Sequence, residues 1–155
     1  MYEAQKVVSA AWFEATFPAQ NRQIITSVQI LPAHDSLVVT EPFSGDFNAL
    51  WDTGATSSAI STRLAENLQL PWITEREIRG LAGSYIARGF LAALRLPNNV
   101  TISEIVLYEW PGTPAFGLLI GMDVISMGDF MLSTSAGLTR VRFQIPSSDH
   151  KPFFG

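Results

Sequence analysis

The 155-residue chain has no cysteine. That excludes disulfides, thiol nucleophiles and cysteine-ligated metals, and the cytoplasm is the simpler expectation for its location. Charge is also scarce: 15% of residues, ten basic against fourteen acidic, with no run of Lys or Arg. A mildly acidic surface without basic clusters suits neither nucleic acid nor an anionic membrane, so neither is expected as a partner. No apolar run approaches the roughly 20 residues of a membrane-spanning helix. The first residues lack the basic start, apolar core and small-residue cleavage site of a secretory leader. The two histidines, His34 and His150, are isolated from any Ser/Asp constellation or metal-ligand set, so no metal or other cofactor is expected.

What is present is apolar: 47% hydrophobic residues, with four Trp and ten Phe, enough for one globular domain with a single core. Residues 1–23 admit two readings, a helix with Val7, Val8, Ala11, Trp12 and Ala15 on one face, or a strand over 12–17, either closed by Pro18. Strands are expected over 24–31, 36–40 and 47–51, with a turn at 41–46. Ser61 is placed to cap a short helix over 61–70, with Leu64 and Leu68 on one face and Pro71 as its stop. Arms at 72–79 and 84–96 around Gly80-Leu81-Ala82-Gly83 predict a β-hairpin, and 100–108 a further strand. A last hairpin is expected over 129–133 and 139–145, where Val141, Phe143 and Ile145 alternate with Arg140, Arg142 and Gln144. Short strands with regular turn signals predict an all-β, closed, barrel-like domain with two short helices over 24–146. Residues 1–23 are then an extension of uncertain structure, and 147–155 a loose tail.

The chain is organised around Ala49-Leu50-Trp51-Asp52-Thr53-Gly54-Ala55-Thr56-Ser57-Ser58-Ala59-Ile60-Ser61. An apolar strand delivers one acid, Asp52, into a turn of small polar and flexible residues. An ionised carboxylate at the end of a buried strand is unfavourable unless it is hydrogen-bonded or paired. The pattern therefore reads as a carboxylate held where water and substrate reach it. Residues 117–125 repeat the plan: an apolar run, a turn at Gly121, and renewed apolar residues. Asp123 and Asp129, beside glycines, read as structural caps or turn formers.

Asp52-Thr53-Gly54-Ala55-Thr56 resembles the active-site signature of the retroviral-type (retropepsin-like) aspartic peptidases. Leu119-Ile120-Gly121-Met122-Asp123-Val124-Ile125, continuing into Gly128-Asp129-Phe130, resembles single-domain versions in cellular genomes. The likeness covers about residues 45–146 and none of 1–23. It implies an aspartic-peptidase domain with one lobe per chain and Asp52 as the catalytic acid. It also implies that the Thr53 hydroxyl locks two such loops together and that the Gly54 carbonyl accepts a hydrogen bond from substrate. Gly80 to Gly83 would close as a flap over an extended peptide, and Ala55, Leu81 and Ala82 suggest apolar side-chain pockets. Viral members usually carry an acid at the position of Thr56 and an Arg at that of Met122. Neither charge is present here, so contacts of that pair are not carried over.

Peptide hydrolysis by carboxylates needs two acids in different protonation states, which two carboxyls about 3 Å apart supply because like charges cannot both ionise. The chain has one Asp-Thr-Gly and no Asp-Ser-Gly. The missing acid is then Asp52 of a second copy, so the enzyme reading requires a homodimer acting on a peptide or protein substrate. A second reading keeps the fold as a dimerisation or peptide-binding module with little or no proteolytic activity.

Overall fold

A computed structural model describes residues 11–18, 21–33, 42–43, 45–80 and 83–148. The first ten residues, the strand expected over 36–40, part of the 41–46 turn, Leu81 and Ala82, and residues 149–155 lie outside the described residues.

The ambiguous N-terminal stretch is a strand, β1 (Ala11–Pro18), in which Phe13 turns inward. It pairs antiparallel with β10 (Leu138–Ile145), and β10 pairs with β9 (Asp129–Ser135), giving a three-stranded sheet in the order β1-β10-β9. The alternation expected in the second arm is present: Thr139, Val141 and Phe143 are buried between partly exposed Arg140, Arg142 and Gln144. The β9–β10 turn falls at Ala136 and Gly137, both with positive φ, the backbone that a two-residue hairpin needs.

The second sheet carries the remaining strands. These are β2 (Ile25–Leu31), β3 (Phe47–Trp51), β4 (Ala59–Ser61), β5 (Trp72–Gly80), β6 (Gly83–Arg95), β7 (Thr101–Trp110) and β8 (Leu118–Ile120), in the order β2-β3-β8-β4-β7-β6-β5. An additional pairing of β2 with β6 brings six of them into a ring, with β5 outside it. The architecture is thus mostly β with two short helices, α1 (Thr62–Asn67) and α2 (Met122–Ile125). Ser61 caps α1, its hydroxyl accepting the Leu64 amide at 3.3 Å. The helix ends earlier than Pro71 suggested, because Gln69 takes a left-handed backbone (φ 51°). Strand β4 has no counterpart in the sequence reading. It is three buried residues long, too short for a period to show.

One core joins the two sheets. Trp51 of β3 meets Phe13, Phe143 and Phe130 at ring-centroid distances of 5.6, 5.2 and 5.4 Å. The strand that leads to Asp52 is therefore anchored by residues from both ends of the chain. Phe13→Ala is expected to lower unfolding free energy by about 3–5 kcal/mol, read by urea denaturation. An unchanged midpoint would show that β1 is not part of the core.

Candidate active site

Strands β3 and β8 run parallel with Trp51 opposite Ile120, so the glycine turns that follow them lie side by side. Trp51 sets the end of β3, its buried indole donating Nε1–H to Thr26 Oγ1 at 2.9 Å. The Asp52 amide donates to the Ile120 carbonyl at 2.9 Å. Asp52 itself is half-buried, and its Oδ1 accepts the Gly54 amide at 2.9 Å. A Cβ on residue 54 would stand 3.2 Å from that oxygen, so glycine leaves the carboxylate its room. The turn closes when the Ala55 amide donates back to the Asp52 carbonyl at 3.2 Å.

The neighbouring turn is locked to this one. A Cβ on Gly121 would fall 2.6 Å from the Ser57 carbonyl carbon and 2.9 Å from the Ala55 oxygen, so only glycine lets the two backbones touch here. The Met122 amide donates to that Ala55 oxygen at 2.8 Å. Ser58, fully buried, donates its hydroxyl to Asp123 Oδ1 at 2.7 Å and accepts the Gly121 amide at 3.0 Å. Its own amide donates to the same carboxylate at 2.9 Å. Asp123 Oδ1 also accepts the Val124 amide in the first turn of α2. The structural role expected of Asp123 is what this geometry provides, while Ser58 escaped the sequence reading. The signal was a second serine directly before a buried strand.

The other predicted residues separate into two groups. Thr53 and Gly54 are exposed and Ala55 is half-buried on the Asp52 turn. Gly80 and Gly83, also exposed, pair with each other at the end of the β5–β6 hairpin. Between hairpin and turn lies an open cleft of about 240 Å³. Gly54, Ala55 and Ser57 line one side, and Arg76, Tyr85 and Tyr108 stand among those opposite; Gly80 and Gly83 do not line it. The apolar character suggested by Ala55 holds only for part of this wall. Arg76 was missed because a charged residue on a strand arm reads as a solvated face.

Glu109 of β7 also lines the cleft, but it is bound from behind. Arg88 reaches it through Nη2 at 2.8 Å and through Nε at 3.0 and 3.1 Å, and bonds Glu66 of α1 at 3.2 Å. The Arg88 hydrogen bond holds the Glu109 carboxyl below its ordinary value of 4.5, against the opposing effect of burial. Burial, then the Glu109 charge, push the Tyr85 hydroxyl up. Among the described residues no group of three His, Cys, Asp or Glu stands together as a metal site, and no helix is long and apolar enough to cross a membrane.

Residues 44–124 match the family model described as aspartyl protease. The structure is similar to that of a retropepsin-like aspartic protease from Rickettsia conorii, at a TM-score of 0.55 and 14% identity, covering 93% of this chain and 98% of that one. It is also similar to the EIAV protease in an inhibitor complex, at a TM-score of 0.50 and 17% identity over 68% of this chain and 86% of that one. Among curated proteins none matches the sequence.

Two outcomes are expected. Ser58→Ala leaves the buried Gly121 amide without its acceptor and should lower stability by about 1–3 kcal/mol, read by chemical unfolding. No loss would mean that the two turns are held by something else. Because the folded-state pKa of Glu109 is depressed, its pairing stabilises the protein above pH 4.5 and is lost as pH falls through the folded value. Glu109→Gln should therefore flatten the acid side of the stability–pH curve, measured by thermal melts, and an equally steep acid limb would rule the pair out as its source.

Proposed function

Because the chain belongs to the aspartyl protease family and has the retropepsin-like fold, we propose that it is a homodimeric endopeptidase in which Asp52 and the partner subunit's Asp52 activate a water. The observation that carries this reading is the setting of Asp52. It ends a buried strand with its carboxylate half-exposed, held by the Gly54 amide and adjoining an open cleft. The other acid of the two-turn unit, Asp123, is engaged by Ser58 and by its own helix. In this reading the second reacting carboxylate is supplied by another copy of the chain.

Two such carboxyls share a proton across the two-fold axis. The ionised one takes a proton from water as the oxygen attacks the scissile carbonyl carbon, and the protonated one passes its proton to the carbonyl oxygen, giving a diol. Collapse of the resulting diol transfers a proton to the leaving nitrogen and breaks the C–N bond. The chain's own contribution is placement: Gly54 and Ser58 fix the turn, and Thr53, exposed beside Asp52, is available to lock it to its counterpart. The β5–β6 hairpin would cover an extended peptide substrate and exclude water, with Gly80 and Gly83 at its tip. Leu81 and Ala82, between them, would complete that tip.

The decisive experiment is digestion of a peptide library, read by mass spectrometry at several pH values, with Asp52→Asn in parallel. The asparagine Oδ1 can still accept the Gly54 amide, so fold, dimer and melting behaviour should persist. Cleavage should fall by about 10²–10⁴-fold. Equal cleavage by the two proteins would remove Asp52 from the mechanism. A folded dimer with no cleavage in either form would favour a peptide-binding module.

A further inference from the structure

The cleft beside Asp52 is electrically lopsided. Its one acid, Glu109, is neutralised by Arg88. Its cation nearest the Asp52 turn, Arg76 of β5, has only neutral partners among the described residues. Arg76 Nη2 donates to Ser57 Oγ at 2.6 Å, and its guanidinium lies 4.2 Å above the centre of the Tyr108 ring. The ring has space because residue 89 is glycine: a Cβ there would stand 3.1 Å from Tyr108 and 2.6 Å from Thr74. Arg79, on the same wall, makes one long contact of 3.5 Å with Glu77, both side chains largely in solvent. A guanidinium pre-set over an aromatic face, held by a hydroxyl instead of a carboxylate, still has its charge to offer.

We propose that this cleft receives an acidic side chain of the substrate, Asp or Glu, and that Arg76 is the specificity residue that pairs with it. The proposal rests on the peptidase reading above and deepens it. The cleft begins at Gly54, whose amide is bonded to Asp52, so the side chain it takes belongs to a residue close to the bond being cut. On binding, the substrate carboxylate replaces the Ser57 hydroxyl as the partner of Arg76. A guanidinium–carboxylate pair is short, charge-assisted and able to form two parallel hydrogen bonds, which a neutral amide of the same shape cannot match. The floor of Ala55, Ala59 and Leu119 accepts the methylene part of the side chain.

The test has two arms. In the first, peptides differing only in Glu, Gln, Lys or Arg at each position near the cut are digested by wild type, Arg76→Gln and Arg76→Glu. Wild type should favour Glu at one position by about tenfold or more in kcat/KM, the worth of a charge-assisted hydrogen bond. Arg76→Gln should bring that ratio close to one, and Arg76→Glu should shift the preference towards Lys or Arg. Arg76 is exposed, so both variants are expected to fold, with melting curves as the check. Asp52-dependent cleavage without an acidic preference, or one that survives Arg76→Gln, overturns the proposal and leaves the peptidase standing.

The second arm does not need turnover. Fluorescent Glu- and Gln-containing peptides are titrated into Asp52→Asn and Asp52→Asn/Arg76→Gln proteins by anisotropy. Tighter binding of the Glu peptide that disappears with Arg76 supports the cleft even if wild type cuts nothing. Equal affinities overturn it.

Discussion

A single buried hydroxyl holds the candidate site together. Ser58 Oγ donates to Asp123 and accepts from Gly121, so one side chain satisfies a carboxylate and a backbone amide on a different segment. Buried polar groups are costly when unpaired and rigid when fully paired. This cluster is of the second kind: Asp123 is met by two groups of Ser58 and by Val124. The consequence runs back along the chain. With Ser58 fixed, Ser57 and Ala55 lie against Gly121, the turn closes on itself, and the Gly54 amide meets the carboxylate of Asp52.

The scarcity of charge gains meaning once its location is known. The three ion pairs among the described residues all involve the β5–β6 hairpin, and two of them meet at Arg88. That arginine joins the hairpin to α1 through Glu66 and to β7 through Glu109. Its guanidinium is also raised above its ordinary pKa by those two partners. The hairpin is therefore fastened at its base, while its far half is exposed on both arms. A lever with a bonded base and an open end suits a covering element, since local opening needs few buried contacts to break.

Much of this was legible in the sequence where period or punctuation was strong. The hairpins announced themselves through glycine, and the alternation of Val141 and Phe143 marked a half-buried strand. The Asp52 turn stood out in the sequence because an acid after a buried run has few structural uses. What escaped was tertiary. Ala59–Ser61 is a strand only because β7 and β8 flank it. Ser58 gains its role from a residue on the other repeat, and no local pattern links the two. Arg76 carries no local signal, because the Tyr108 ring and Ser57 hydroxyl that meet it are brought there by the fold. The 12–17 strand competed with a helix because isolated propensity does not include the partner β10.

That partnership has a consequence for synthesis. The aromatic cluster under Asp52 draws on Phe13 from the first described strand and Phe143 from the last. A nascent chain on the ribosome, with β10 still unmade, leaves Phe13 and Trp51 uncovered and the support of the Asp52 turn incomplete. Pairings between opposite ends of a chain close late, because their loop-closure entropy is largest. The support of the Asp52 turn is therefore complete only once β10 has been made and has paired with β1.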